Sequence, residues 1–138
     1  LMHMQGTPQT MQEAPIYKNV VDDVKAFLKS RISLCSQNDI TNIIIDPGIG
    51  FGKTLEHNLL LLNRLDQFLD LGCPLMVGTS RKSFINQIFK SSTQQRIAGT
   101  VASSVIAWQK GARFFRVHDV FECRQALAVT KSIEEALC

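Results

Sequence analysis

The sequence predicts an α/β fold built on a parallel sheet. Short apolar strands, rich in β-branched residues, alternate along the chain with longer amphipathic helices. Each strand is followed by a polar or glycine-rich cluster, as in parallel α/β folds, whose ligands bind at the carboxyl ends of the strands. The alternation continues through all 138 residues with no linker or low-complexity segment, so we expect a single domain.

The first half of the chain contains two predicted helices with one strand between them. Apolar residues recur at helical spacing over 17–35, which predicts an amphipathic helix. The isoleucine run in 42–45 is typical of a strand buried on both faces. Thr54 is a suitable N-cap for a second helix over about 55–71, and Gly72 is a suitable residue to end it.

The second half repeats the same alternation. Residues 74–78 form a predicted buried strand, and a short helix is expected around 84–89. A longer helix of small residues covers about 95–109, followed by a strand over 114–117. The last predicted helix runs over about 120–137.

The beginning of the chain is also strand-like. Residues 1–4 are rich in apolar side chains and precede a polar turn, so they have the character of a strand's carboxyl end. We therefore expect the chain to be a fragment of a longer protein.

Composition narrows the range of functions. A hydrophobic content of 45% and a charged content of 20% are ordinary for a globular domain. The net charge of +3 comes without a basic run, which gives only weak support for nucleic-acid binding. Small anionic molecules fit this charge as well, and we expect no nucleic-acid partner. The four cysteines lack zinc spacing, which favours free thiols in a cytoplasmic protein. No apolar run approaches the length of a membrane span, so no membrane association is expected.

The stretch DPGIGFGKT at 46–54 resembles a nucleotide-binding loop but fits neither common pattern. A P-loop ending in Gly52-Lys53-Thr54 would need glycine where Pro47 stands, and proline has no N–H to offer a phosphate. The dinucleotide fingerprint fails on its second glycine spacing. Another explanation is needed for the glycines.

We interpret the glycines as hinges of a tight loop. Positive φ angles at Gly48, Gly50 and Gly52 would let the chain turn sharply after the strand. Ile49 and Phe51 would then be displayed as exposed apolar side chains, and Phe51 could cover a flat aromatic ligand.

The strand ends supply the candidate site residues. Asp46 follows a predicted buried strand and is a candidate ligand-binding carboxylate, but it could also be simply a turn residue. Ser80 is a second candidate, and it could also be simply a helix cap. Cations at a helix start oppose the helix dipole, so Arg81 and Lys82 favour an electron-rich or anionic ligand. The remaining candidates are Arg116 and His118, which share one side of a strand and suggest a phosphate or diphosphate, and His3, which we interpret as structural.

Five motifs, taken together, resemble dihydropteroate synthase. They are LMHMQGTPQTMQ, DPGIGFGK, GTSRKSF, RIAGTVA and GARFFRVHDV, in this order and spacing from residue 1 to about 120. The resemblance implies a (β/α)₈ barrel, of which residues 1–138 would be the C-terminal half, about strands 5 to 8, with the N-terminal half absent. It also implies the joining of 4-aminobenzoate to 6-hydroxymethyl-7,8-dihydropterin diphosphate, which gives 7,8-dihydropteroate and diphosphate in folate biosynthesis.

The resemblance assigns pterin contacts to four strand ends. Asp46 would bind the amino and ring N–H edge of the pterin, and Lys82 its carbonyl and ring nitrogen. Arg116 would stack on one face of the ring and Met2 would pack on the other. Arg116 and His118 would hold the diphosphate.

The resemblance also implies an aminobenzoate site. Ser80 and the helix start behind it would receive the carboxylate, while Phe51 and Lys82 would flank the ring. Gly50 and Arg81 are implied as further substrate contacts. The catalytic residues implied in this way are Lys82, Arg116 and His118.

The implied cofactor is Mg²⁺, bound mainly through the diphosphate and through the missing half, with no metal ligand in this chain. A homodimer is implied as well, and sulfonamides would compete with 4-aminobenzoate. We do not expect the chain alone to be active. A half-barrel would also leave one sheet face open. Depending on which residues of each strand face that side, the candidates for it are Ile43, Ile45, Leu75, Val77 and Phe115.

Two other interpretations remain open at this point. One is a methyltetrahydrofolate methyltransferase serving a corrinoid protein, which also binds a pterin at an aspartate-bearing strand end. Ser80, Arg81, Lys82 and Phe51 argue against it, because that reaction needs no carboxylate site for aminobenzoate. The other is a non-catalytic half-barrel that serves as a binding or assembly module.

Overall fold

The computed structural model describes residues 1–7, 9–11 and 15–136 and confirms the α/β class. Five α-helices, two short strands and two 3₁₀ helices alternate along the described residues. The helices are α1 (Val20–Ser36), α2 (Leu55–Asn63), α3 (Ser83–Ile88), α4 (Ile97–Gln109) and α5 (Val120–Glu135); the strands are β1 (Met76–Val77) and β2 (Phe114–Phe115); the 3₁₀ helices are Leu65–Leu71 and Gln94–Arg96. Residue 137, the predicted end of the last helix, lies outside the described residues.

The sheet is parallel throughout the described residues and follows chain order. β1 pairs with β2, and isolated parallel bridges join Ile45 to Leu75 and Met2 to Asp46. The first two predicted strands are therefore present as single bridges. The backbone of the second is nevertheless hydrogen-bonded on both sides, since Asp46 N–H donates to Leu1 O at 2.8 Å and Met76 N–H donates to Ile45 O at 2.7 Å.

Two predicted helix boundaries were wrong. α1 begins at Val20, because the Asn19 side chain accepts the N–H groups of Val21 and Asp22 and so acts as the N-cap. The second helix, which Thr54 caps as predicted, ends at Asn63 and is followed by a 3₁₀ helix.

Burial explains the change of helix type. Leu65 and Phe68 are fully buried, and a 3₁₀ helix places side chains three residues apart on one side. Both residues therefore point into the core. Gly72 ends this segment in the left-handed conformation, with φ of +71°, as the sequence predicts.

The helices cover one face of the sheet, and the register differs from our expectation. Ile45, Leu75 and Val77 are buried within the chain, and Ile43 is nearly so, so the prediction that they face an open interior was wrong. Phe115 is half-buried and also packs against this core.

Side chains alternate across a strand, so Asp46, Met76, Phe114 and Arg116 lie on the opposite face. Phe114 is 42% exposed there. Our prediction exchanged the two faces of the sheet, which corresponds to a shift of one residue along the strand. A continuous apolar run has no alternation of polar and apolar residues to show which side chains face the core.

We predict that Gly48→Ala destabilises the protein far more than Gly72→Ala. Both glycines have positive φ, but a Cβ at Gly48 would lie 1.9 Å from the carbonyl oxygen of His3, whereas a Cβ at Gly72 meets nothing within 4 Å. Gly72→Ala should cost about 1 kcal/mol for the left-handed backbone. Gly48→Ala should cost about 3 kcal/mol or more, because backbone must also move. Denaturant unfolding of the two variants measures the difference, and equal costs would contradict the close approach.

Candidate active site

The carboxyl ends of the strands meet around a pocket of about 200 Å³. Its wall comes from three segments that are far apart in sequence, within 46–51, 78–82 and 116–118. A larger groove of about 640 Å³ lies between α2, α3 and α4, but its lining is mainly apolar and includes none of the strand-end clusters. The smaller pocket therefore holds the groups that can do chemistry.

Asp46 is the buried anion of this pocket. Its Oδ1 accepts the Gly48 N–H at 2.8 Å, and its Oδ2 lies 3.7 Å from Arg116 Nη2. Burial raises the pKa of the Asp46 carboxyl, although the Gly48 N–H and the cations Arg116, Lys82 and Lys53 act in the opposite direction. One hydrogen bond and one longer ion pair use only part of a carboxylate's acceptor capacity, so Asp46 can accept further donors from a ligand.

Lys82 and Phe51 form the second wall of the pocket. The Lys82 ammonium lies 3.8 Å from the centroid of the Phe51 ring, which is a cation–π contact. Burial lowers the pKa of Lys82, opposed by Asp46 and reinforced by Arg116. Gly50 makes room for this side chain, since a Cβ there would lie 3.0 Å from Lys82 Cδ.

Ser80 and His118 link two strand ends directly. The His118 backbone N–H donates to Ser80 Oγ at 3.0 Å, and the same oxygen lies 2.9 Å from His118 Nδ1. Ser80 can donate to Nδ1 of a neutral imidazole or accept from Nδ1–H of a charged one. In both states the ring is held by Nδ1, which leaves Nε2 available to a ligand.

Arg116 is the most exposed cation of the pocket. Its side chain is 60% exposed, and Nη2 also lies 3.3 Å from Met76 Sδ. The guanidinium therefore lies across the open face of the sheet and retains free donors for an anionic or planar ligand.

Residues 1–118 match the sequence profile of the family described as pterin binding enzyme. The chain belongs to this family. A dihydropteroate synthase of Haemophilus influenzae is 46% identical over 138 residues, which are 99% of this chain and 50% of that protein. The resemblance to dihydropteroate synthase is thus confirmed, and the chain spans about half the length of the curated relatives it matches.

Solved structures give the same result. A Yersinia pestis dihydropteroate synthase in a sulfonamide drug complex superposes with a TM-score of 0.94 at 42% identity, covering 98% of this chain and 50% of that one. The dihydropteroate synthase of Thermus thermophilus was solved with 6HMPPP and with 4-aminobenzoate. Both structures superpose with a TM-score of 0.93 at 43% identity over 97% of this chain, which is 54% and 56% of theirs.

In this pterin-binding family member Ile49 is not where we predicted it, and three implied substrate contacts lie outside the pocket lining: Met2, Gly50 and Arg81. Ile49 is only 1% exposed and belongs to the core, so the prediction that it is displayed was wrong. Met2 is half-buried and pairs through its backbone with Asp46, but it does not line the pocket. Arg81 does not line the pocket either, because its guanidinium contacts Asp119.

Sequence reasoning missed Lys53. Its ammonium is buried behind the glycine loop, where Nζ lies 3.0 Å from His3 Nδ1 and donates to Phe51 O at 2.9 Å. Burial lowers the pKa of Lys53 to about 8. The signal in the sequence is the Gly52-Lys53-Thr54 ending that imitates a P-loop, in which the lysine would bind phosphate and not a histidine.

His3 lies in the core, as we expected of a structural histidine. Its ring packs edge-on against Phe27, with 5.0 Å between the centroids, and Nδ1 faces Lys53. Burial, and then the charge of Lys53, lower the pKa of His3 to about 4. This side chain therefore stays neutral near pH 7.

The described residues contain no group of three or more His, Cys, Asp or Glu side chains that could hold a metal ion. Within the same residues, no helix combines the length and the hydropathy of a membrane span.

We predict that His3 titrates near pH 4 and makes the fold acid-sensitive. Its pKa in the folded state lies below the ordinary 6.5, so between pH 6.5 and 4 the unfolded chain takes up a proton that the folded chain does not. Stability should therefore fall as the pH falls through this window. An NMR titration of the ring gives the midpoint, and His3→Gln should flatten the pH slope of unfolding. A midpoint near 6.5 would contradict the buried, neutral ring.

Proposed function

We propose that the full-length protein condenses 4-aminobenzoate with 6-hydroxymethyl-7,8-dihydropterin diphosphate to give 7,8-dihydropteroate and diphosphate. The observation that carries this proposal is one buried carboxylate, Asp46, facing Lys82 and Arg116 in a strand-end pocket. A pterin presents a donor edge that suits a carboxylate, and a diphosphate suits the surrounding cations. The Thermus thermophilus relative was solved with 6HMPPP and with 4-aminobenzoate, which supports the choice of substrates.

The pterin would lie between Asp46 and Lys82. Asp46 accepts from its amino group and ring N–H, and Lys82 donates to its carbonyl and ring nitrogen. Arg116, extended across the open face, stacks on the ring. Met2 would approach the other face of the ring, since its backbone is paired with that of Asp46.

Departure of the diphosphate is the step that needs charge stabilisation. The C–O bond of the methylene breaks and its electron pair leaves with the diphosphate, where Arg116 and His118 Nε2 balance the added charge. The aniline nitrogen supplies its lone pair to form the new C–N bond and then loses a proton to water. Because this nucleophile is neutral and already carries a free lone pair, the site needs no strong base.

The aminobenzoate would bind beside Phe51. The Phe51 ring and the aliphatic part of Lys82 flank its ring, and Ser80 donates to its carboxylate. Ser80 can do so when Nδ1 of His118 carries a hydrogen, because Nδ1–H then donates to Ser80 Oγ and leaves the hydroxyl hydrogen free.

We also propose a domain organisation, a location and an oligomeric state for the protein. Residues 1–138 form one domain, the C-terminal half of a (β/α)₈ barrel containing about strands 5 to 8, and the protein is a cytoplasmic homodimer. The described residues offer no metal-ligand cluster, and the pocket itself is lined by cations. These residues do not fit a Mg²⁺ site, so any Mg²⁺ would be held by diphosphate oxygens and by ligands outside this chain.

The proposal is tested with the full-length protein and both substrates. We expect 7,8-dihydropteroate and diphosphate in equal amounts, and neither product when 4-aminobenzoate is omitted. If diphosphate release does not depend on 4-aminobenzoate, the proposed activity is rejected. The methyltransferase and the non-catalytic binding module would then be the functions to test.

We predict that Lys82→Ala in the full-length protein lowers turnover by at least about 100-fold, as expected for a group that both positions and polarises the substrates. Lys29→Ala is the matched control, because Lys29 is exposed on α1, away from the pocket. Steady-state kinetics compares the two variants. A near-normal rate for Lys82→Ala would remove Lys82 from the proposed mechanism.

We predict that Phe51 controls the response to sulfonamides. Its ring contacts Lys82 at the pocket wall and is carried by a glycine loop, so a bulkier residue or an insertion changes the space beside the aminobenzoate ring. The inhibition constant of a sulfonamide should then rise more than KM for 4-aminobenzoate, because the drug and the substrate differ in bulk. Proportional changes in both constants would argue against a selective contact.

A further inference from the structure

Arg81 has a backbone conformation that a non-glycine residue seldom adopts. Its φ is +58°, in the left-handed region. Such a conformation is strained for a residue with a side chain and persists where the surroundings determine it. Arg81 lies between Ser80 and Lys82, which both line the pocket, so the surroundings that fix Arg81 also fix its neighbours.

Three residues from two parts of the chain hold Arg81 in place. Its backbone N–H donates to Thr100 Oγ1 at 3.0 Å, and its carbonyl accepts from Arg96 Nη1 at 2.9 Å. Its guanidinium makes a two-pronged contact with Asp119, in which Nε donates to Oδ2 at 3.0 Å and Nη2 donates to Oδ1. This fork geometry fixes orientation as well as distance.

Asp119 belongs to the other side of the pocket. It follows His118 directly and precedes α5, and its side chain is 8% exposed. The ion pair therefore joins the loop after β1 to the loop after β2, across 38 residues of sequence. Lys82 and His118 are the residues next to the two ends of this link.

We propose that Arg81 is a positioning residue whose ion pair with Asp119 sets the separation of Lys82 and His118 across the pocket. The catalytic consequence of this inference rests on the proposed function. The effect of the Arg81–Asp119 ion pair can also be measured without catalysis, through the affinity of the pocket for diphosphate. It also replaces the direct substrate contact that the family resemblance implied for Arg81.

The test must separate positioning from the plain neutralisation of a buried charge. Arg81→Met alone leaves Asp119 buried and unpaired, and an unpaired buried charge destabilises the protein whether or not Arg81 positions the pocket. The double variant Arg81→Met/Asp119→Asn removes both charges, keeps the net charge and keeps the backbone strain. The matched control is Lys25→Met/Asp70→Asn, which removes an exposed ion pair with a 2.7 Å N–O distance far from the pocket.

We expect the Arg81/Asp119 double variant of the full-length protein to remain folded. Its affinity for inorganic diphosphate should fall at least about 10-fold in calorimetry, and kcat/KM for the pterin diphosphate should fall at least as much, as expected when binding groups are misplaced. Arg81→Lys, which keeps the charge and loses the fork, should recover part of the diphosphate affinity. The Lys25/Asp70 control should match the wild type in both measurements.

A double variant with wild-type diphosphate affinity would overturn the inference, even if it is less stable. If that variant does not fold, Arg81→Lys decides alone: diphosphate affinity equal to the wild type overturns the inference, and a loss of about 3-fold or more supports it. A wild-type protein that binds diphosphate but forms no dihydropteroate would reject the proposed function and leave the diphosphate comparison valid.

Discussion

The close approach of the His3 carbonyl to Gly48 is the constraint on which the pocket depends. Residues 1–4 are held beside residues 43–46 by the His3 N–H, which donates to Asp46 O at 3.0 Å. This pairing brings the His3 carbonyl so near Gly48 that no side chain fits there. The chain can then turn at once after Asp46, and the Gly48 N–H closes back onto the carboxylate. The same turn brings Phe51 to the wall of the pocket that Asp46 lines.

The charges around Asp46 are arranged for a ligand more than for the fold. Arg116 is 60% exposed and its ion pair with Asp46 is 3.7 Å long, so this pair contributes at most about 1 kcal/mol to stability. Exchanging it for a ligand contact therefore costs little. The buried carboxylate gains more, because hydrogen-bond donors of a ligand would compensate the desolvation that raises its pKa. The positive charge of Lys53 acts on Asp46 from behind the loop. The ammonium group itself contacts His3 Nδ1 and donates to the Phe51 carbonyl.

The sequence predicted those features that depend on local pattern. Strand–helix alternation, the Thr54 cap and the positive φ of the loop glycines are all present, because each follows from a few neighbouring residues. The register of the sheet was not predictable, since the run 43–45 is uniformly apolar and either face suits the core. The prediction that Ile49 is exposed was wrong for a related reason. Gly48 and Gly50 on either side of it allow backbone conformations that expose the side chain as well as ones that bury it. The pairing of Arg81 with Asp119 spans 38 residues and left no local signal.

The segment 80–82 shows why adjacent residues in one motif can have different tasks. In an extended strand, alternate side chains point to the same side, so Ser80 and Lys82 would share the pocket and Arg81 would point away from it. The left-handed turn at Arg81 modifies this pattern by redirecting the chain, so that α3 starts at Ser83 directly after the pocket lysine. A glycine at position 81 would permit the turn without fixing it. The arginine both adopts the turn and holds it through Asp119, which explains in physical terms why a bulky charged residue stands where backbone preference alone would favour glycine.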